Sequence, residues 1–533
     1  MKKKILAGIL AATFLMSVLA GCTGKPAASG TDTSSTTAPS TASSTATTAE
    51  VSFPLAEPIT MTMFAHSVPG QELGNTLVMK VMEEKTNVKW NITTASDTEI
   101  VEKLNLSFNS GDYFDVYMKS GISGTDTLKY AQEEIIIPLN DLIDKHMPNL
   151  KAVLDEQKVW GDITSGDGKI YALPQLNGKG ATAPPLFINQ AWLDKLNLKM
   201  PTNEEEFLKV LRAFKTGDPN GNGKQDEMPV YLPQGAFEML FPYFGINCDY
   251  NTMSMYNSKT GKTEYVPTSE KFKHYLSVMR TMYEEGLCNK DCFSAPWDQL
   301  NALATTQDVI GVFPSWGAYI TVGTEKDEMW PMLFPFDGNT FPCGSGVGNG
   351  ALLITDKCKK PEIVAKWVDT FYNEEGGRLA WMGVDGQTYK LNADGTYEWL
   401  VNGSYGADIT TIRNTQGLFG NKNAPCVAPK LFNEGQTNPE ELYLFKERQK
   451  MYPYFDEPTP TLSWTDVEIE EKSTLVASIN PFFAQFEAQV TTGEKNLKAD
   501  WDAYLKAMQD MKVNNLIAID QAAYTRFLDE AAK

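Results

Sequence analysis

The stretch GDPNGNGKQDEMP, Gly217 to Pro229, spaces its oxygen-bearing side chains as a cation-ligating loop does. Asp218, Asn220 and Asn222 stand at positions 1, 3 and 5 of the EF-hand pattern, and Gly223 fills position 6, where the chain must turn sharply. The Lys224 backbone carbonyl falls at position 7, and Asp226 and Glu227 follow at positions 9 and 10. A hard cation such as calcium takes six to eight oxygens, so this donor set suits it. At position 12, where an EF-hand places a bidentate Glu, the chain has Pro229. The alternative is a polar Asx and glycine turn that holds no metal.

The flanking elements decide between a sensor and a staple. Before the loop, Thr202 caps NEEEFLKVLRAFK, with Phe207, Leu208, Val210, Leu211 and Phe214 at helical spacing and acids in the first turn. After it, in MPVYLP, Pro229 and Pro233 forbid an outgoing helix. A sensor needs two helices whose angle changes on binding. The reading is therefore a helix–loop–strand staple with a structural calcium ion.

Other reactive constellations are sparse. His66, His146 and His274 are the only histidines, and none lies in HExxH or another zinc-ligand spacing. Neither the G-x-S-x-G nucleophile elbow nor a phosphate-cradling GxxxxGK[ST] occurs. Two carboxylates a few ångströms apart suffice for a glycosidase, so a surface glycoside-active enzyme remains a rival; the expectation is that the chain is not an enzyme.

The amino terminus assigns the compartment. Lys2, Lys3 and Lys4 precede an apolar run from Ile5 to Leu19, and Leu19-Ala20-Gly21-Cys22 resembles a lipobox. Residues 1–22 thus read as a lipoprotein signal, with Cys22 the lipidated residue. In 23–50, 15 of 28 residues are Ser or Thr, a composition that buries no core and makes a disordered tether. The formal charge of −20, about −23 without the three signal lysines, argues against nucleic acid as partner. Cys248, Cys288, Cys292, Cys343, Cys358 and Cys426 show no metal-ligand spacing; Cys288 and Cys292 can pair locally or stay buried thiols.

A body of about 480 residues exceeds what one core serves and predicts two lobes. ITMTMFA, a helix near Thr76–Lys85, VKWNITTA, a helix near Asp97–Phe108 and FDVYM follow the β-α-β-α-β order of a parallel sheet covered by helices. LFINQAWLDKLNL opens a second such series after NGKGATAPP, residues 177–185, a candidate hinge. GNGALLIT reads as a buried strand, PEIVAKWVDTFYNEEGGRLAWM as one helix from Pro361 to a stop at Gly383, and Asp394-Gly395 as a hairpin turn. The fold class is α/β.

Taken together, the lipobox and tether, DGKIYALPQ, the run from LFINQAWL through the calcium loop, VFPSWGAY, MGVDGQTY and the ending TTGEKNLKADWDAYLKAMQDMKVNNLIAI resemble extracellular solute-binding lipoproteins of bacterial sugar ABC importers. The resemblance is to the family 1 type, in the subgroup that binds oligosaccharides and alginate oligosaccharides. It implies a two-lobe periplasmic-binding-protein-like fold with crossing hinge segments, closing on an oligosaccharide for delivery to the permease subunits. It also implies a structural calcium site at Asp218, Asn220, Asn222, Lys224, Asp226 and Glu227. The implied lobes are 51–180 plus 340–386 and 181–339 plus 387–533. The chain is expected to act as a monomer that meets the membrane through its lipid anchor alone. A protein of the same fold binding a peptide or another polar solute is the alternative.

Sugar sites combine aromatic platforms with paired hydrogen-bonding side chains. Trp316 follows the apolar strand DVIGVF at a strand-to-loop exit, where the resembling family lines its cleft; the alternative is a core or rim Trp. Tyr171 sits beside the hinge, and His66 follows the first strand, where first-lobe loops of such folds face the cleft. Trp381, Tyr389, Arg413 and Trp464 complete the candidates, although the helical spacing of Trp381 from Trp367 favours a core role.

Overall fold

Along the strand Ile59–His66, Met61, Met63 and Ala65 face one way and Phe64 the other, and both sets are buried. The same alternation recurs in Val116–Met118 and Val347–Ile354: Val116, Met118, Leu352 and Ile354 join the first set, Tyr117 and Leu353 the second. A sheet buried on both faces must be covered by helices on both, which is how this part of the chain is built. The computed structural model describes residues 51–531 apart from 251, 324, 402, 419 and 421. Cys22, the signal and the tether lie outside the described residues.

The first sheet has five strands in the order Val88–Ala95, Ile59–His66, Val116–Met118, Val347–Ile354, Leu173–Leu176. The first three are parallel, as the β-α-β-α-β order requires, but Val347–Ile354 inserts antiparallel, pairing Leu352 with Met118 and Val347 with Leu176. The sheet is therefore mixed. A second sheet places Ile310–Pro314 between Leu186–Ile188, antiparallel, and Met228–Val230, parallel. Its core gathers Phe187, Trp192, Phe207, Phe214, Phe241, Tyr275 and Phe313 with residues from the C-terminal helices Asp466–Thr492, Leu497–Asp510 and Val513–Ala531.

Three stretches of chain run between the two cores and hydrogen-bond to one another. Gly180–Ala181, inside the expected hinge, pairs antiparallel with Cys343–Gly344. The third stretch, near Phe455–Thr459, lies alongside: Phe341 N–H donates to the Tyr454 carbonyl at 2.7 Å and Thr459 N–H to that of Cys343 at 2.8 Å. Gly346, at φ +80°, is indispensable there, because a Cβ would sit 1.9 Å from the Gly178 carbonyl oxygen.

Two local expectations change. The helix expected from Pro361 to Met382 is two, Pro361–Asp369 and Glu374–Met382, separated by a tight turn at Thr370–Tyr372. Asn373 breaks it by capping the second helix, accepting from Gly376 N–H at 2.9 Å, and a Cβ on Gly376 would lie 1.7 Å from the Thr370 carbonyl oxygen. Likewise the cap of Glu204–Thr216 is Asn203 rather than Thr202, which instead donates to Glu206 at 2.9 Å. Residues after 387, expected with the second lobe, do not stay together, since Leu418, Ala424 and Cys426 bury in the first core. The six cysteines from Cys248 to Cys426 are all buried free thiols. No described helix is long and apolar enough to cross a membrane.

Candidate ligand cleft and calcium loop

Trp316 leaves the central strand of the second sheet with its backbone tied on every side. Ser315 N–H donates to the Pro185 carbonyl at 3.1 Å, Ser315 Oγ to the Gly317 carbonyl at 2.9 Å, and Arg448 Nη2 to the Trp316 carbonyl at 2.9 Å. The indole itself is 47% exposed. Three residues on, the Tyr319 hydroxyl donates to Glu441 Oε1 at 2.8 Å.

From the side of the first core comes Arg413, on the helix Ile409–Gln416. Its guanidinium carbon lies 5.2 Å from the Trp381 ring centroid and 4.5 Å from that of Phe432, a cation–π arrangement. Burial pulls the Arg413 pKa down to about 10, against the opposing field of Glu441. Glu441 acts the same way on Arg448, whose pKa is lowered by the protein around it although the side chain keeps open surface. Burial pushes the Cys426 thiol up to about 12, opposed by Trp381 and Lys119.

Lys119 is fully buried, with φ +56°, at the end of the strand Val116–Met118; burial draws its pKa down to about 8. His66 ends the adjacent strand, also fully buried, with Nε2 3.1 Å from Asp97 Oδ1. Burial first, then Lys119, keeps its pKa below the usual histidine value. His66 and Lys119 thus stand at strand ends of the first sheet and Trp316 at the exit of the central strand of the second, while Arg413 packs on Trp381 and Phe432. Ligands in open α/β sheets bind outside such strand ends.

The remaining candidates fall elsewhere. Tyr171 and Trp464 share a cavity with Asp162, Asn349 and Thr461 beside the crossing segments. Tyr171 is buried, its hydroxyl donating to Asp167 at 2.7 Å and its pKa pushed up to about 12 by burial. Trp464 donates to Asp520 at 3.2 Å, and Lys472 Nζ covers its ring at 3.8 Å. Tyr389 packs in the hairpin against Tyr397, at 6.1 Å between centroids, and lines a groove on another face. Tyr319, Glu441 and Arg448 were missed from sequence, though Tyr319 stands in the quoted VFPSWGAY and Glu441 and Arg448 share one helix face at i and i+7.

The Gly217–Pro229 loop is a helix–loop–strand unit, between Glu204–Thr216 and Met228–Val230. Gly223 N–H points at Asp218, 3.3 and 3.2 Å from its two carboxylate oxygens, and Asn220 and Asn222 amides donate to Asp226 at 3.1 to 3.2 Å. Lys224 N–H donates to Asn222 Oδ1 at 2.7 Å, leaving its carbonyl for other duty. Both Glu227 oxygens are buried without a hydrogen-bond partner, and burial, with Asp226 and Asp218 nearby, raises the pKa. An orphaned carboxylate beside two aspartates and two amides fits a hard cation. Among the described residues no group of three or more His, Cys, Asp or Glu side chains is arranged to hold a metal ion; this loop would add amide and backbone oxygens to its carboxylates.

Residues 70–378 match the model of the family described as bacterial extracellular solute-binding protein. The chain is 28% identical, over 97% of its own length and of the relative's, to FusA of Streptococcus pneumoniae, a fructooligosaccharide ABC transporter substrate-binding protein. The FusA structure in complex with kestose superposes with a TM-score of 0.69 at 26% identity, covering 89% of this chain and all of FusA; FusA has also been solved as an EF-hand mutant with fructo-nystose. An HMO-binding, ABC-transporter-associated solute-binding protein of Bifidobacterium longum infantis has the same fold, with a TM-score of 0.75 at 20% identity over 89% of this chain and 99% of that one. Two cores joined by crossing segments, with the family pattern spanning more than half of the sequence, place this chain among the bacterial extracellular solute-binding proteins.

Proposed function

We propose that this protein captures an oligosaccharide in the recess between Trp316 and Arg413 and delivers it to the permease of an ABC importer, held outside the cell by a lipid on Cys22. The observation that carries the reading is an exposed aromatic, Trp316, at the exit of a central strand, with Arg448 on its carbonyl and the hydrogen-bonded pair Tyr319–Glu441 beside it; Arg413 lies within the electrostatic reach of Glu441 and Tyr319. An apolar ring face flanked by planar hydrogen-bonding groups matches a sugar's apolar face and hydroxyl edge. FusA, related over nearly the whole chain, supports the ligand class.

The proposed first lobe is 51–180 plus 340 to about 427, extended past 386 because Leu418, Ala424 and Cys426 pack there, and the second is 181–339 plus the remainder. Closure of one lobe on the other would bring Arg413 against the ligand on Trp316. Calcium, held by Asp218, Asn220, Asn222, the Lys224 carbonyl, Asp226 and Glu227, would fasten the helix Glu204–Thr216 to the strand of the second sheet and take no part in sugar contact.

The test is calorimetric titration of the body from Val51 with kestose, longer fructo-oligosaccharides and oligogalacturonides. Saturable binding with recovery of intact sugar after prolonged incubation supports the reading. No binding to any of them, or steady cleavage proportional to protein, removes it.

A further inference from the structure

The helix Pro439–Met451 stands behind Trp316 as a backing plate. A Cβ on Gly317 would lie 3.0 Å from Leu444, so the loop and the helix approach as closely as a glycine permits. One turn beyond Leu444, Arg448 reaches the Trp316 carbonyl at 2.9 Å. Two turns before Arg448, Glu441 takes the Tyr319 hydroxyl at 2.8 Å and exerts its charge on both Arg448 and Arg413. Arg448 is therefore anchored on the Trp316 carbonyl, and the same helix holds Tyr319 through Glu441.

Resting on the cleft reading above, we infer that Arg448 and Glu441 are positioning residues for the Trp316 platform, Arg448 through the Trp316 carbonyl and Glu441 through the Tyr319 hydroxyl. An Arg presents several donors in a rigid fork and so can serve a carbonyl while it faces a carboxylate; a lysine serves one at a time.

The experiment uses the body labelled with 5-fluorotryptophan and read by fluorine NMR, the Trp316 resonance being identified by its loss in Trp316→Phe. Arg448→Met is expected to shift or broaden that resonance and to leave the other tryptophans in place, Arg448→Lys to restore it in part, and Glu441→Gln to shift it less. In parallel, Arg448→Met should bind kestose about tenfold more weakly, the loss of one charge-assisted hydrogen bond's worth of ordering, at an unchanged melting temperature. An unmoved Trp316 resonance in Arg448→Met and Glu441→Gln overturns the inference, as does a moved resonance with unchanged affinity. If the parent protein binds none of the sugars, it is the functional reading that fails, and the fluorine spectra still decide whether these residues position Trp316. Should Arg448→Met not fold, Arg448→Lys and Glu441→Gln carry the same two readouts.

Discussion

Truncating Trp316 to alanine removes an exposed ring while the hydrogen bonds of Ser315, Gly317 and Arg448 to the surrounding backbone remain. Sugar affinity is therefore expected to fall by about 2 kcal/mol or more, a factor of roughly 30, with the melting temperature unchanged; a core tryptophan would lose about 3–5 kcal/mol of stability instead. Titration and melting on one preparation separate the two. A second residue predicts a pH effect. Glu487 is buried against Tyr275, and burial first, then the nearby Glu238 charge, pushes its pKa up to about 8. The unfolded chain releases that proton near pH 4 while the folded one keeps it, so stability is full below the unfolded value and is lost as pH rises toward about 8. Glu487→Gln should flatten the melting-temperature profile between about pH 5 and pH 8 and raise stability at neutral pH; a profile parallel to that of the parent would refute this. The place of Trp316 at a strand exit was legible in sequence because apolar strands are readable. Glu441 and Arg448 were not, because a helix face announces its own periodicity but not which surface it meets.

At the scale of elements, the proposed calcium loop joins a helix to a strand of the second sheet, and Gly223 N–H donates to the Asp218 carboxylate within it. Calcium at a hundred times its dissociation constant should add about 2.7 kcal/mol of stability. Chelation, Asp218→Ala or Glu227→Gln should abolish that increment, and kestose titrated at saturating and at chelated calcium should show the same affinity wherever the fold survives. A melting curve indifferent to calcium, chelator and both substitutions would remove the metal. Spacing along one loop is a local property, which is why the helix–loop–strand unit could be read from the sequence. The break at Asn373 could not: the apolar pattern of Pro361–Met382 continues across it, and only the close approach of Gly376 to Thr370 shows why the helix restarts.

At the scale of the whole molecule, the two-lobe α/β architecture was legible from the alternation of strands and helices and from size. The return of the chain was readable only as a strand, GNGALLIT, with no indication that it enters antiparallel in the middle of the first sheet, because pairing partners distant in sequence leave no periodic trace. The proposed anchor also belongs to this scale. Cys22→Ser should move the protein from the membrane fraction to the medium with its ligand affinity intact, and retention of the variant on the membrane would remove the lipid assignment.

The position of Val347–Ile354 also governs the order of events as the chain emerges. Val116–Met118 and Leu173–Leu176 are neighbours only through that strand, so the first sheet stays in two pieces until residues far downstream have been made or exported. Such non-local pairing slows folding and leaves strand edges open in the interval. A nascent or translocating chain that stops before Val347 should therefore be degraded or held by chaperones, whereas one that has passed Ile354 should protect its N-terminal third from protease. Pulse-chase proteolysis of chains arrested on either side of that strand would reveal the step.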